Sequence, residues 1–180
     1  MKAQRVIITG EIGAGKTTLC EQIVGLARLK GIQVCGLISP GVFEGGKKVA
    51  IKAVDLASNE SRILARQRKN EARGPQTKRW AFLEETVRWG NHVLLESVPC
   101  ELFVLDELGP IEFQRGEGWV QGLMVLDEGR YEMAVVVIRP HFLAQARDRW
   151  GGSEVVDLDF NDGKSRLAEQ IIAPLWSDKS

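Results

Sequence analysis

A glycine-rich octapeptide near the amino terminus constrains this chain more than any other part of its sequence. The octapeptide matches the pattern GxxxxGK[ST] and lies between an apolar run, Arg5 to Thr9, and a helical pattern, Lys16 to Lys30. In this strand–loop–helix order, glycines let backbone N–H groups turn inward around a phosphate, and the helix directs its positive end at the anion. The sequence therefore predicts a phosphate-binding P-loop within an α/β fold.

The predicted nucleotide-binding residues are this octapeptide and the threonine that follows it. Lys16 is expected to supply positive charge to the β- and γ-phosphates, which makes it a candidate catalytic residue as well. The Thr17 hydroxyl is the expected protein ligand of a Mg²⁺ ion. The full set is Gly10, Glu11, Ile12, Gly13, Ala14, Gly15, Lys16, Thr17 and Thr18.

A second motif consists of a short apolar run that ends in two acidic residues. Leu102 to Leu105 reads as a buried strand, and Asp106 and Glu107 follow it directly. A carboxylate at the end of such a strand is placed to bind Mg²⁺, so Asp106 is the second predicted metal ligand. Glu107 is predicted to orient or deprotonate the attacking water. Together with a P-loop, this pair predicts hydrolysis of a nucleoside triphosphate.

The adjacent Asp–Glu pair also predicts an order of strands. P-loop proteins with such a catalytic glutamate have an additional strand between the P-loop strand and the strand that ends in aspartate. Met133 to Ile138 is the candidate for that strand. It would place Arg139 near the γ-phosphate, as a catalytic residue that stabilises charge. A surface arginine before Pro140 is the alternative interpretation.

Strand and helix patterns alternate along the chain, which predicts a three-layer α/β fold around a mainly parallel sheet. We expect one domain over residues 1–180. Within Val42 to Leu56, a Gly-Gly pair is followed by alternating apolar residues. This pattern predicts a β-hairpin insertion at one edge of the sheet.

Arg62 to Arg79 contains seven basic residues and one acidic residue. Asn70 to Lys78 within it is polar and contains Gly-Pro, which predicts a loop, and we expect the whole basic segment 62–79 to be mobile. The segment is a lid that closes over phosphates, a basic face in solvent, or a patch that binds nucleic acid. The arginines available to such a lid are Arg62, Arg66, Arg68 and Arg73.

Composition argues against several classes of partner. The chain balances 24 Lys and Arg against 24 Asp and Glu, so it has no broad positive field for nucleic acid or anionic membrane. The longest apolar runs are far too short to span a bilayer. The three cysteines show no CxxC spacing, and we predict that they are reduced residues of a cytoplasmic protein.

Asp106 to Phe113 resembles the Asp-Glu-Ile-Gly-Lys-Met-Glu-Leu signature of the small nucleoside-triphosphatases first described from thermophiles and present in vertebrates as the cancer-related nucleoside-triphosphatase. The resemblance extends to the P-loop and to the Ser39-Pro40 turn before the hairpin. It implies a RecA-like or adenylate-kinase-like domain that hydrolyses several nucleoside triphosphates with Mg²⁺. It also maps the family's later glutamate onto Glu112. Pro110 replaces the family's lysine, which leaves nucleotide preference and rate open.

The prediction is therefore a Mg²⁺-dependent nucleoside-triphosphatase that acts on ATP, GTP and other nucleoside triphosphates through water activated by Glu107. Two alternatives remain. One is a nucleotide or small-molecule kinase that uses residues 62–79 as its lid. The other is a nucleotide-gated binding protein in which hydrolysis resets contact with a partner.

Overall fold

A computed structural model describes residues 3–67, 79–160 and 164–177 of the chain. Its strands form one nine-stranded sheet in the order β6–β5–β4–β2–β7–β8–β1–β9, with β3 paired to β4. The strands are β1 (Gln4–Thr9), β2 (Val34–Ile38), β3 (Gly41–Glu44), β4 (Lys47–Asp55), β5 (Ser61–Gln67), β6 (Trp80–Phe82), β7 (Cys100–Leu108), β8 (Tyr131–Ile138) and β9 (Glu154–Asp157).

Five strands, β2, β7, β8, β1 and β9, form the parallel part of the sheet. Their middles are apolar and buried, as expected for parallel strands that are covered by helices on both faces. β8 lies between β1 and β7, so the strand order predicted from the adjacent Asp–Glu pair is confirmed. The carboxyl ends of β1, β7 and β8 therefore lie side by side at one edge of the sheet.

The other four strands form an antiparallel extension beyond β2. The predicted hairpin consists of β3 and β4, which are connected by a turn at Gly45 and Gly46. Residues 62–67 of the basic segment belong to β5, which pairs with β4 and β6, so this part is a strand of the sheet and not the mobile segment that the sequence predicted. Arg62 is fixed there by an ion pair with Glu60, at 2.8 Å, and by the Trp89 ring, whose centroid is 4.6 Å from its Cζ. Residues 68–78, with Arg68 and Arg73, lie outside the described ranges.

Helices cover both faces of the sheet and complete three layers. One core cluster contains the buried faces of α1 and α6, and the other contains those of α2, α4 and α5. The fold predicted from the sequence is therefore confirmed. The helices are α1 (Lys16–Leu29), α2 (Glu84–Glu96), α3 (Pro110–Arg115), α4 (Val120–Glu128), α5 (Leu143–Arg149), α6 (Lys164–Ile172) and α7 (Pro174–Ser177), with a 3₁₀ turn at Pro140–Phe142. Among these helices, none combines the length and apolar character that crossing a membrane requires.

The prediction of three reduced cysteines is wrong for two of them. Cys35 on β2 and Cys100 on β7 form a disulfide, whereas Cys20 is a free, buried thiol. The bonded pair is 65 residues apart in sequence, and only the pairing of β2 with β7 brings the two residues together. Because disulfides are rare in reducing compartments, the cysteines no longer support a cytoplasmic location. That location stays a prediction.

Candidate active site

The P-loop connects the end of β1 to the start of α1. Gly10 has a φ of 140°, and a Cβ built on it would lie 3.1 Å from Ala14 Cβ and 3.3 Å from Leu158 Cβ. A larger residue would therefore open the loop. The loop is also held from outside, because Glu11 N donates a hydrogen bond to Asp159 Oδ2 at 2.8 Å. Asp159 follows β9, so the neighbouring strand fixes the position of the loop.

Lys16 extends back across the loop from the first turn of α1. Its Nζ donates hydrogen bonds to the carbonyl oxygens of Gly10, at 2.6 Å, and Glu11, at 2.8 Å. These bonds hold the ammonium group at the mouth of the loop. The ammonium group lies near the N-terminus of α1, where the helix dipole also stabilises an anion.

Asp106 lies deep at the carboxyl edge of the sheet and is joined to the P-loop helix. Its Oδ2 accepts hydrogen bonds from Thr17 Oγ1, at 2.8 Å, and from Ser39 N, at 3.1 Å. Burial and the neighbouring charge of Glu107 raise the pKa of Asp106 to about 6. The carboxylate is thus costly to ionise in this pocket until a cation lies beside it.

The oxygens of Thr17 and Asp106 fit a Mg²⁺ ion. Hydroxyl and carboxylate oxygens are ligands that this hard cation prefers, and Mg²⁺ takes its remaining ligands from water and substrate phosphates. The raised pKa of Asp106 fits the same assignment, because a nearby cation would favour the ionised form. The described residues contain no group of three or more His, Cys, Asp or Glu that could hold a metal, so an all-protein cage does not compete with this assignment in those ranges.

Glu107 follows Asp106 in a left-handed backbone conformation, with φ of 70°. This conformation is uncommon for a residue with a side chain. Its Oε1 accepts a hydrogen bond from Arg139 Nε, and about 40% of each side chain is exposed. Gly109 leaves space for this contact, since a Cβ there would lie 3.1 Å from Arg139 Cδ.

Glu112 is buried and bonds to backbone rather than to the P-loop. Its Oε2 accepts from Gly109 N at 2.9 Å, and its Oε1 accepts from Trp119 N at 3.1 Å. Burial is the main cause that raises the pKa of this carboxyl group. Glu112 therefore holds the turn after β7 and the residue that precedes α4 in place.

Three cavities adjoin these residues. The first, of about 70 Å³, lies between the carboxyl edge of the parallel strands and the antiparallel extension. The second, of about 370 Å³, is a groove on the other side of Glu107 and Arg139. The third, of about 250 Å³, lies beside Thr18 on the P-loop. The first is lined by Thr17, Ser39, Lys48, Ile51, Leu64, Trp80, Phe82, Asp106, Glu107, Gly109, Pro110, Ile111, Glu112, Trp119 and Arg139.

The structure thus brings together Lys16, Thr17, Asp106, Glu107 and Arg139, all of which were predicted as site residues. Of the predicted lid arginines, Arg62 and Arg66 lie on β5 and are not among them, whereas Arg68 and Arg73 lie outside the described ranges. Three further residues were not found by sequence reasoning: Ser39 and Asp159, which hold Asp106 and the loop, and Lys48, which lines the first cavity.

Comparison with known protein families agrees with this geometry. The model of a protein family described as NTPase matches residues 5–172. The chain belongs to this NTPase family. The match covers the P-loop, the Asp–Glu pair and every strand after the first residue of β1.

Curated relatives carry a related name. The chain is 35% identical to "Nucleoside-triphosphatase THEP1" of Ignicoccus hospitalis over 107 residues, which are 59% of this chain and 60% of that protein. It is 29% identical to "Nucleoside-triphosphatase THEP1" of Thermofilum pendens over 138 residues, 76% of this chain and 75% of that protein. The matched region spans about 60% of the length of the first of these NTPase relatives.

Two solved structures share the fold of this NTPase. The solution structure of a human cancer-related nucleoside triphosphatase matches with a TM-score of 0.73 and 19% identity, and covers 99% of this chain and 100% of that one. The crystal structure of THEP1 from Aquifex aeolicus matches with a TM-score of 0.71 and 15% identity, over 96% and 99%. At these identities the likeness concerns the fold alone.

Proposed function

We propose that the chain is a Mg²⁺-dependent nucleoside-triphosphatase that hydrolyses ATP, GTP and related nucleoside triphosphates to the diphosphate and phosphate. The observation that carries this proposal is the 2.8 Å hydrogen bond between Thr17 and Asp106. It joins the P-loop to the Asp–Glu strand end, so phosphate-binding and water-activating groups share one cleft. The names of the curated relatives support the same activity.

In this proposal the P-loop binds the β- and γ-phosphates through its backbone N–H groups and through Lys16. The Lys16 ammonium exchanges its bonds to the Gly10 and Glu11 carbonyls for phosphate oxygens. Thr17 and Asp106 would hold Mg²⁺, which when bound offsets negative charge on the β- and γ-phosphate oxygens.

Glu107 is the proposed general base. Its carboxylate accepts a proton from the attacking water, whose oxygen forms a bond to the γ-phosphorus. The bond from the γ-phosphorus to the bridging oxygen breaks, and the electron pair leaves with the nucleoside diphosphate. In this step the Arg139 guanidinium exchanges its hydrogen bond to Glu107 for bonds to the phosphoryl oxygens. Glu107 is then free to accept the proton, and the negative charge on the phosphoryl group is stabilised.

A phosphate-release assay on the four ribonucleoside and four deoxyribonucleoside triphosphates tests this function. We expect wild-type protein to release phosphate with Mg²⁺ and to stop when the metal is chelated. Lys16→Ala should abolish release and weaken nucleotide binding while the melting temperature stays unchanged. Equal nucleotide affinity in wild type and Lys16→Ala would refute the assignment of the P-loop.

A phosphotransferase is the second candidate function, and the 370 Å³ groove favours it. Glu107 and Arg139 line this groove together with Gln114, His141 and Phe142, and the space could admit an alcohol acceptor instead of water. Adenosine and glycerol are suitable probes. If either makes diphosphate exceed free phosphate, the chain is a kinase; equal amounts support hydrolysis.

A further inference from the structure

Lys48 brings a second lysine to the candidate active site, from outside the parallel part of the sheet. It lies on β4 and lines the 70 Å³ cavity together with Thr17, Asp106 and Glu107. No ion pair joins Lys48 to a carboxylate in the described ranges, where the ion pairs belong to other residues. Its Nζ instead lies 5.8 Å from the centroid of the Trp80 ring.

The hairpin directs the Lys48 side chain by leaving space for it. A Cβ built on Gly41 of β3 would lie 2.7 Å from Lys48 Cε and 3.2 Å from Lys48 Cδ. The aliphatic part of the Lys48 side chain therefore crosses β3 at Gly41, where the absence of a side chain leaves space for it. Gln67 on β5 also donates a hydrogen bond to the Lys48 carbonyl oxygen at 3.0 Å. Both contacts fix the local position of Lys48.

Lys48 and the predicted metal-binding carboxylate of Asp106 line the same 70 Å³ cavity. A positive charge at the wall of so small a space acts on any phosphate oxygen that enters it. Within the described part of the chain, two other cations of the cleft already have oxygen partners: Lys16 bonds to carbonyl groups and Arg139 bonds to Glu107.

We propose that Lys48 binds the γ-phosphate of the nucleotide, so that the β-hairpin supplies a cation opposite the P-loop. This inference rests on the proposed function. Lys48 lines the 70 Å³ cavity, and Lys16 lines the groove on the other side of Glu107 and Arg139. The γ-phosphate would lie where these two spaces adjoin, with Lys16 on one side and Lys48 on the other. A diphosphate would leave Lys48 without its partner. Lys48 thereby favours triphosphates over diphosphates and stabilises the charge of the transferred phosphoryl group.

Binding measurements that compare a triphosphate with a diphosphate test this inference. Isothermal calorimetry with Mg²⁺ and a non-hydrolysable ATP analogue, and with Mg²⁺ and ADP, gives the ratio of the two affinities. Lys48→Met keeps an apolar stem and removes the charge. We expect the analogue to bind roughly 10- to 100-fold more weakly, the range of a charge-assisted contact, and ADP to bind as before. Lys48→Arg keeps the positive charge and should retain most of the wild-type ratio of analogue affinity to ADP affinity.

The matched control is Lys52→Met, which removes an exposed lysine from the same strand. It should leave the ratio of affinities unchanged. If Lys48→Met weakens the analogue and ADP equally, or weakens neither, Lys48 does not bind the γ-phosphate and only packs on Trp80.

Gly41→Ala provides a second test that keeps the charge. The added methyl group should displace the Lys48 stem and lower the analogue-to-ADP ratio several-fold. In the Lys48→Met background the same change should have no effect on that ratio. An equal effect in both backgrounds would show that Gly41 acts through the hairpin backbone and would refute its role in positioning Lys48.

The outcomes also separate this inference from the proposed function. Wild-type protein that binds neither nucleotide would contradict the proposed function itself. Wild-type protein that binds and hydrolyses ATP, together with a Lys48→Met variant that keeps the ratio of affinities, would contradict only the role of Lys48.

Discussion

Arg139, at the end of β8, donates a hydrogen bond through its Nε to the Glu107 carboxylate at the end of β7. The proposed general base and the proposed charge stabiliser thus hold each other before a phosphate is bound. About 40% of each side chain is exposed, so the pair can separate without leaving a buried charge. The arrival of a γ-phosphate would give the guanidinium a stronger anion and leave Glu107 free to accept a proton.

Arg139→Ala should therefore lower turnover, because the loss of charge stabilisation outweighs the release of Glu107. We expect kcat to fall roughly 10²-fold, as when one donor to a developing anion is removed, while ADP affinity stays unchanged. Steady-state kinetics measure this, with Arg147→Ala on an exposed position of α5 as the control. A rise in kcat would show instead that Arg139 restrains Glu107.

Asp106 should make the metal-free protein less stable as pH rises. Its pKa is raised from 3.8 to about 6 in the folded state. The protonated carboxyl group therefore makes its full contribution to the free energy of unfolding below about pH 4, and this contribution is lost as pH rises through 6. The loss should approach 3 kcal/mol, roughly 1.4 kcal/mol for each pH unit between the two values. Asp106→Asn does not ionise and escapes this loss.

Urea unfolding in a metal chelator at pH 4 and pH 7.5 measures that difference. The free energy of unfolding of Asp106→Asn minus that of wild type should be larger at pH 7.5 than at pH 4. Mg²⁺ should reduce this difference at pH 7.5, because it stabilises wild type alone. Equal stability differences at both pH values would contradict the raised pKa of the buried Asp106 carboxyl group.

Glu112 should matter for stability rather than for the chemical step. Glu112→Gln replaces one accepting oxygen by an amide nitrogen, so Gly109 N or Trp119 N loses its partner. We expect a loss of about 1–3 kcal/mol in the free energy of unfolding. Glu117→Gln, at an exposed position nearby, is the control. Unchanged unfolding with a large fall in kcat would show that Glu112 acts on the substrate.

The parallel part of the fold followed from local sequence patterns. The P-loop, the apolar run of β7 and the adjacent Asp–Glu pair are each contained in a few consecutive residues. Because parallel strands end at one edge, these short motifs were enough to predict that Lys16, Thr17, Asp106 and Glu107 would meet there. The strand order then followed from the Asp–Glu pair.

Other features depend on contacts between distant segments, which local patterns do not show. β5 was hidden because its arginines at 62 and 66 give the segment the composition of a solvated loop, although Leu64 and Ala65 are buried. The bond between Cys35 and Cys100 requires the pairing of β2 with β7. Lys48 reaches the cleft only because the hairpin folds back on the sheet.

A single-turnover experiment on wild type and Glu107→Gln tests whether Glu107 activates the attacking water. Both proteins, in excess over MgATP, should bind the nucleotide with similar affinity, because the proposed role of Glu107 is to act on the attacking water and not to bind the metal. Wild type should convert the bound ATP to ADP and phosphate, and Glu107→Gln should do so about 10²- to 10⁴-fold more slowly, the usual contribution of a general base. Hydrolysis by Glu107→Gln at the wild-type rate would contradict the role of Glu107 as general base.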